Sequence, residues 1–432
     1  MNVLAEPYTR GKVEKSSNDF PYYLILFFLF LEYGRPQSLF PVIGKFHLGM
    51  LVQILLFLLL VLKNKILNFK NIQTKCFIGL LLLMALHVPI AVNNYWAFTV
   101  LKNITLYFIV YLSIISFVNS YSKIIKYINI WITINLLCAI IGLKYGGLVP
   151  NSSFMGDEND FSLVMNMAIP FAYFVFLEAK SVKIKIFNLA AICTFIAASV
   201  ASLSRGGFVG LVAVGIYCWL KTPKKILATI LIAIMIGFFS FVATDKFWKE
   251  VISIREDNIE KGTGYGRWYM WNCAWQMFLD HPVIGVGQDN FRWNIQPYEP
   301  LNINVYSFSR AGKAVHSLYF TLLPELGIIG IILFSSMICL SYNNNRFVHG
   351  LDKKTLSGHT QNKINNYQRE FFSKHRKFTF LSNGINGALV GYMVSGIFLS
   401  VLYYPHFWLL IALNTAMQNI VQKEIGILQI QI

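Results

Sequence analysis

Twelve apolar stretches, each near the ~20 residues that cross a bilayer, follow one another along this chain, with one long polar segment between them. They fall at roughly 20–33, 46–62, 76–92, 96–118, 127–143, 160–178, 187–203, 206–220, 226–243, 316–340, 379–400 and 404–421. The first is short and the eighth is borderline. Hydrophobic residues make up 56% of the 432 residues and charged residues 13%, and the mean hydropathy is +0.53. So apolar a chain is not soluble at this size. An all-α polytopic membrane protein of about 12 transmembrane helices is expected, a single membrane domain over 1–432, with a long outer loop at 244–315 and a basic cytoplasmic loop at 341–377.

Lys and Arg concentrate in cytoplasmic loops, so the short loops fix an orientation. If every span crosses, the N-terminal tail and the loops near 63–75, 123–126, 180–185, 221–225 and 346–377, with Lys423, lie on one side. They hold 24 of the 37 basic residues, against four in the short loops opposite, namely Arg35, Lys45, Lys144 and Arg205. Both termini are expected in the cytoplasm and Thr244–Val315 on the outer face. The net charge of +17 is mostly this topology signal, so nucleic acid is not an expected partner. The first apolar run lacks a small-residue cleavage site and reads as a retained anchor. Six scattered cysteines form neither a CxxC nor a disulfide framework.

Unusual residues gather on the outer side. Arg35-Pro36-Gln37 follows span one, preceded by Glu32. Gly156-Asp157-Glu158-Asn159-Asp160 enters span six, with Asn-Asp placed like a helix cap. Ser204-Arg205-Gly206-Gly207 turns between spans seven and eight; an arginine flanked by glycines there can reach a phosphate or snorkel to headgroups. In the long loop, Trp268, Trp271, Trp275 and Phe278 recur at helical spacing, which predicts a helix at the membrane interface. Arg267 leads into it and His281-Pro282 ends it. Gly285-Val286-Gly287 then makes a tight turn without the strand–helix context of a nucleotide site. His316 lies at the outer mouth of span ten, with Tyr319 close by and Glu325 about two turns further along.

Taken in order, these fragments resemble the O-antigen ligase and Wzy-type polymerase superfamily of bacterial envelope glycan enzymes. The matching pieces are Gly156 to Phe161 with Pro170, Leu203 to Gly207, Gly266-Arg267-Trp268 with Trp271, His281 to Gly287, and His316-Ser317-Leu318-Tyr319 with Glu325-Leu326-Gly327. They span about 150–335. The resemblance implies a GT-C-like fold in the bacterial inner membrane. It implies an inverting glycosyltransferase that moves a glycan from undecaprenyl pyrophosphate to a hydroxyl acceptor on the periplasmic face, without metal or other cofactor. By motif position, Arg205 and Arg267 match the arginines assigned to the donor pyrophosphate, and His316 matches the essential loop-end histidine. Arg35, Asn159, Asp160, Trp268, Tyr319 and Glu325 are further residues expected to bind substrate.

The residues suit that chemistry. Pyrophosphate is a good leaving group, so fixed positive charge is the main requirement as the glycosidic bond breaks, and a neutral imidazole suits the acceptor proton. Gly34 to His47 contains no acid, and no Asp-x-Asp or P-loop occurs anywhere in the chain. A ligase acting on lipid A core or protein is the leading expectation. A Wzy-type polymerase that extends lipid-linked glycan shares the fold, and a twelve-span transporter or flippase is the alternative from another class. Outer-face charges and the lack of a repeat count against transport.

Overall fold

Every ordered element of the computed structural model is helical among the described residues, which are 19–65, 71–150, 152, 154–223, 225, 226, 229, 230, 233, 237, 263–299, 310–357 and 366–430. The order is α1 (Phe20–Leu29) running into a π-helical turn (Phe30–Gly34), then α2 (Pro36–Leu39), α3 (Pro41–Gly44), α4 (Leu48–Leu62), α5 (Ile72–Ile90), α6 (Asn94–Phe117), α7 (Tyr121–Lys144), α8 (Glu158–Glu178), α9 (Val182–Ala201) and α10 (Arg205–Lys221). There follow α11 (Thr263–Asp280), α12 (Phe291–Asn294), α13 (Leu318–Ser357), α14 (Asn366–Ser395) and α15 (Pro405–Ile430).

Among the described residues, seven helices are long and apolar enough to cross a membrane: Val42–Leu62, Ile72–Ile90, Asn94–Phe117, Tyr121–Lys144, Glu158–Glu178, Val182–Ala201 and Leu318–Gly350. Twelve were expected. The shortfall has physical causes: the first apolar helix ends at Gly34, α10 has 17 residues, and α14 and α15 carry buried Ser382, Asn383, Asn414 and Gln418. Most of 226–243 lies outside the described residues, as do 244–262 and 300–309 of the long loop. The expected loop at 341–377 is helical over 341–357, where α13 extends into it, and over 366–377, where α14 begins.

The core forms around α8. In its apolar window 78% of residues are buried, against 22% for Val42–Leu62, so α8 is the central pillar and α4 a peripheral helix. Three glycines let α14 approach it closely: a Cβ at Gly384, Gly387 or Gly391 would meet Phe171, Pro170 or Asn166. Small residues at such a contact replace the missing hydrophobic drive with backbone-close packing.

The element that positions the candidate site is a broken helix. Within α13, Pro324 lacks an N–H and Gly327 adopts φ 60, ψ −164, so the helix stops and restarts where the sequence predicts one continuous span. Freed backbone groups at membrane depth need partners. The segment after α11 supplies them. Val286 N–H donates to the Pro324 carbonyl at 2.8 Å and Gly287 N–H to the Glu325 carbonyl at 2.9 Å; Ile328 N–H donates to the Pro282 carbonyl at 2.8 Å and Ile329 N–H to that of Val283 at 3.2 Å. The Glu325 carboxylate extends the clamp, accepting from Asp289 N–H at 2.8 Å, Phe291 N–H at 3.2 Å and Tyr403 Oη at 2.6 Å.

On its other side the same segment is bound to the α5–α6 hairpin. Buried Gln288 donates to the carbonyls of Met84 and Ala97, each at 2.9 Å. His87 Nε2 lies 2.9 Å from the Ile284 carbonyl, and Asn93 N–H donates to Asn290 Oδ1 at 2.8 Å. Gly285 and Gly287 have φ 81 and φ 100, which the path requires.

A Cβ at Gly285 would meet the Glu325 backbone, and one at Gly327 the Val283 carbonyl. Gly285→Ala and Gly327→Ala should each cost about 1–3 kcal/mol, measured as a lowered thermal midpoint in detergent. Gly215→Ala, at a helical position with open space around it, should leave the midpoint unchanged or slightly raised.

Candidate active site

Arg205 is fixed by the start of α10. Ser204 caps that helix through Gly207 N–H at 2.9 Å, and its hydroxyl donates to Asn159 Oδ1 at 2.7 Å. Asn159 is held in turn by Asp157 Oδ1, which accepts its backbone N–H at 2.8 Å and its side-chain amide at 3.1 Å. The cap of α8 is therefore Asp157, two positions before the Asn159-Asp160 pair expected. Beneath this, Asn166 donates to the Gly207 carbonyl at 2.8 Å and accepts from Ser199 at 3.2 Å. Gly207 leaves no room for a Cβ beside Ser162, and Gly206 packs on Phe398.

Arg267 reaches the same place from α11. Its guanidinium lies 5.7 Å from the centroid of the Phe398 ring, so one phenyl group separates it from Gly206. Trp271 stacks on Phe320 at 5.1 Å and on Phe398 at 6.4 Å. The packing face of α11 is Met270, Cys273, Ala274 and Met277, which join Phe291, Ile295 and Val315. This departs from the expected aromatic stripe: Trp271 turns inward, whereas Trp268 is 68% exposed and Trp275 is 43% exposed.

His316 sits at the entry to α13 with φ 52 and is open to solvent on one side. Its imidazole pKa is lowered, first by desolvation and then by the Arg267 charge, with Asp157 pulling the other way. Arg267 is lowered by burial and by Arg205, and again Asp157 opposes. Arg267 thus lies within electrostatic reach of Arg205, His316 and Asp157, and His316 within reach of Asp157. The two guanidinium groups repel, the Asp157 carboxylate attracts Arg267, and an anion bound between the two cations would be stabilised by both. The depressed imidazole pKa favours the neutral form that can take a proton.

A cavity of about 380 Å³ lies at the entry to α13, lined among others by Arg35, Asp289, Arg292, Val315 (the residue before His316), Glu325 and Tyr404. Arg292 pairs with Asp289 at 2.7 Å. Asp160 is buried and contacts Tyr404. Other expected binders are placed differently. Glu325 is occupied by the clamp on 289–291, and the Tyr319 hydroxyl donates to the Met393 carbonyl at 3.0 Å, which ties α13 to α14. Trp268 points away. The sequence reading missed Asp289, Arg292, Phe398, Tyr403 and Tyr404, and it gave Asp157 no role of its own within the acidic cluster that enters span six. Among the described residues, no three His, Cys, Asp or Glu side chains form a group that could hold a metal.

This geometry can be set beside known proteins. Residues 189–335 match the O-antigen ligase family. The resemblance to the O-antigen ligase superfamily holds over that stretch, which runs from α9 through the break in α13 and carries Arg205, Arg267 and His316. Asp157, Asn159 and Arg35 lie before it. An uncharacterized protein of Haemophilus influenzae is 30% identical over 161 residues, covering 32% of this chain and 40% of the relative. The chain thus spans about two fifths of that relative's length.

Asp157→Asn keeps a good capping residue and removes the charge that raises the His316 pKa. The His316 imidazole should then titrate at lower pH than in the wild type, read by NMR of histidine-labelled protein with His316→Gln to assign the signal. Gly207→Ala should cost about 1–3 kcal/mol through overpacking, read as a lowered thermal midpoint.

Proposed function

We propose that this protein transfers a glycan from undecaprenyl pyrophosphate to a hydroxyl acceptor, lipid A core or protein, on the periplasmic face of a bacterial inner membrane. The placement of Arg267 carries the reading: it lies over the Phe398 ring against which Gly206, next to Arg205, also packs, and it is within electrostatic reach of both Arg205 and His316. The O-antigen ligase match over 189–335 supports ligase or polymerase-type glycan transfer. In this reading about twelve spans cross the membrane, both termini are cytoplasmic, and α11 rests at headgroup level with Trp268 and Trp275 toward the lipid interface.

Arg205 and Arg267 bind the pyrophosphate and stabilise the charge that develops on it. The acceptor oxygen attacks the anomeric carbon from the face opposite the leaving group, and the bond from that carbon to the phosphate oxygen breaks with its electrons passing to the phosphate. His316 takes the proton from the acceptor hydroxyl. Configuration at the anomeric carbon is inverted. No step requires a metal.

The test is transfer in proteoliposomes supplied with undecaprenyl-pyrophosphate-linked glycan and candidate acceptors. Wild type should glycosylate lipid A core or protein. His316→Ala should lose roughly 10²–10⁴-fold in rate, and Arg205→Ala and Arg267→Ala about 10²–10³-fold each. Longer glycan remaining on the lipid carrier would make the protein a polymerase. Transfer by all three variants at the wild-type rate would overturn the assigned roles.

A further inference from the structure

A second cavity, of about 390 Å³, opens off the first. The two share Arg35, Asn103 and Tyr107, so Arg35 stands at the passage between them, its guanidinium 5.0 Å from the centroid of the Phe154 ring. The chain builds this space by breaking regularity. A π-helical turn ends the first apolar helix, Arg35 and His47 take left-handed conformations with φ 47 and φ 46, and α2 and α3 fold back between them. Asn103 and Tyr107 form the facing wall on α6, roughly 14 and 20 Å from its start at 1.5 Å per residue. The chamber therefore reaches well into the bundle.

Its chemistry differs from that of the arginine site. The Glu32 carboxylate accepts from Tyr107 Oη at 2.9 Å and faces the Arg35 charge, so the two charges offset. The rest of the polar lining is amide and imidazole, from Gln37, Gln53, Asn103 and His47. Gln37 donates to the Leu31 carbonyl at 3.1 Å, while its Oε1 is buried with no hydrogen-bond partner. Amides and a phenol suit neutral hydroxyl groups, whereas a diphosphate would find little net positive charge here. The volume is in the range of small-ligand sites. The flank is α4, the least buried of the seven candidate spans, and Asn103 is exposed. The chamber opens at the side of the bundle, the side from which a lipid-borne substrate would come.

We propose that the chamber between the Phe30–His47 segment and α6 is a glycan subsite, which takes the uncharged, hydroxyl-rich part of a substrate and passes it by Arg35 to the cavity beside His316. The assignment rests on the transfer reading for its role in catalysis, but the binding itself does not. The glycan belongs to the acceptor or to the donor, and separate Michaelis constants tell which.

Gly49 offers a clean probe, because it lines the chamber and an added Cβ meets nothing within 4 Å. Gly49→Trp should fill the space without disturbing the helix, and Gly49→Ala should leave it open. With full-length protein in nanodiscs, saturation-transfer NMR should show maltotriose bound to wild type and to Gly49→Ala. Binding should be lost in Gly49→Trp and weakened about fivefold in Asn103→Leu. In proteoliposomes Gly49→Trp should raise one KM, for acceptor or for donor, about tenfold and leave the other unchanged. No maltotriose signal in wild type, or a signal that survives Gly49→Trp, overturns the assignment. If wild type transfers no glycan the catalytic reading falls, and the maltotriose comparison still decides the chamber.

Discussion

A helix that breaks inside a membrane leaves backbone donors and acceptors with no water to satisfy them, at several kcal/mol for each group. In this protein the break at Pro324–Gly327 is closed by four backbone hydrogen bonds to residues 282–287 and by the Glu325 carboxylate on the next turn. The two segments depend on each other. Without the loop the broken helix would be unsatisfied, and without the break the loop would have nothing to pair with at that depth. The hairpin of α5 and α6 holds the loop from behind through Gln288 and Asn290, so a connection between helices becomes a rigid part of the core.

That rigidity reaches the chemistry. α11 runs directly into the clamped loop, and α13 begins two residues after His316, so Arg267 and His316 are both attached to the same fixed junction. Arg205 comes from a different assembly, the capped start of α10, held by Asn159, Asn166 and the glycines beneath it. Phe398 stands between the two assemblies, with Gly206 on one side and Arg267 on the other. Two like charges held near each other repel, and an anion between them would relieve that cost. Under the proposed transfer reading, the arginines beside His316 would take the phosphate and the chamber beside Arg35 the sugar.

Much of this was legible in the sequence, for identifiable reasons. Apolar periodicity located the helices because a membrane leaves few alternatives to them. Arg205 and His316 stood out as polar groups at the edges of apolar spans, and Arg267 as the cation that leads into the tryptophan-spaced helix of the long loop. The structural role of Glu325 was not legible. Pro324 and Gly327 flank it, but hydropathy reads through a broken helix as if it were whole, so its hydrogen bonds to the backbone of 289 and 291 were not foreseen. Gln288 and Asn290 look like ordinary loop residues until the fold buries them. Tyr319, for its part, was assigned to substrate and is tied to Met393. The chamber at Arg35 arises from a π turn and two left-handed residues, and it exists only once α6 is brought against them.

The most direct measurement is a cryo-EM structure of the protein in nanodiscs with undecaprenyl pyrophosphate. The account predicts diphosphate oxygens within hydrogen-bonding distance of both Arg205 and Arg267, beside the His316 ring, with residues 282–287 still paired to the break in α13. Diphosphate bound away from both guanidinium groups, or a loop detached from Pro324–Gly327, would contradict it.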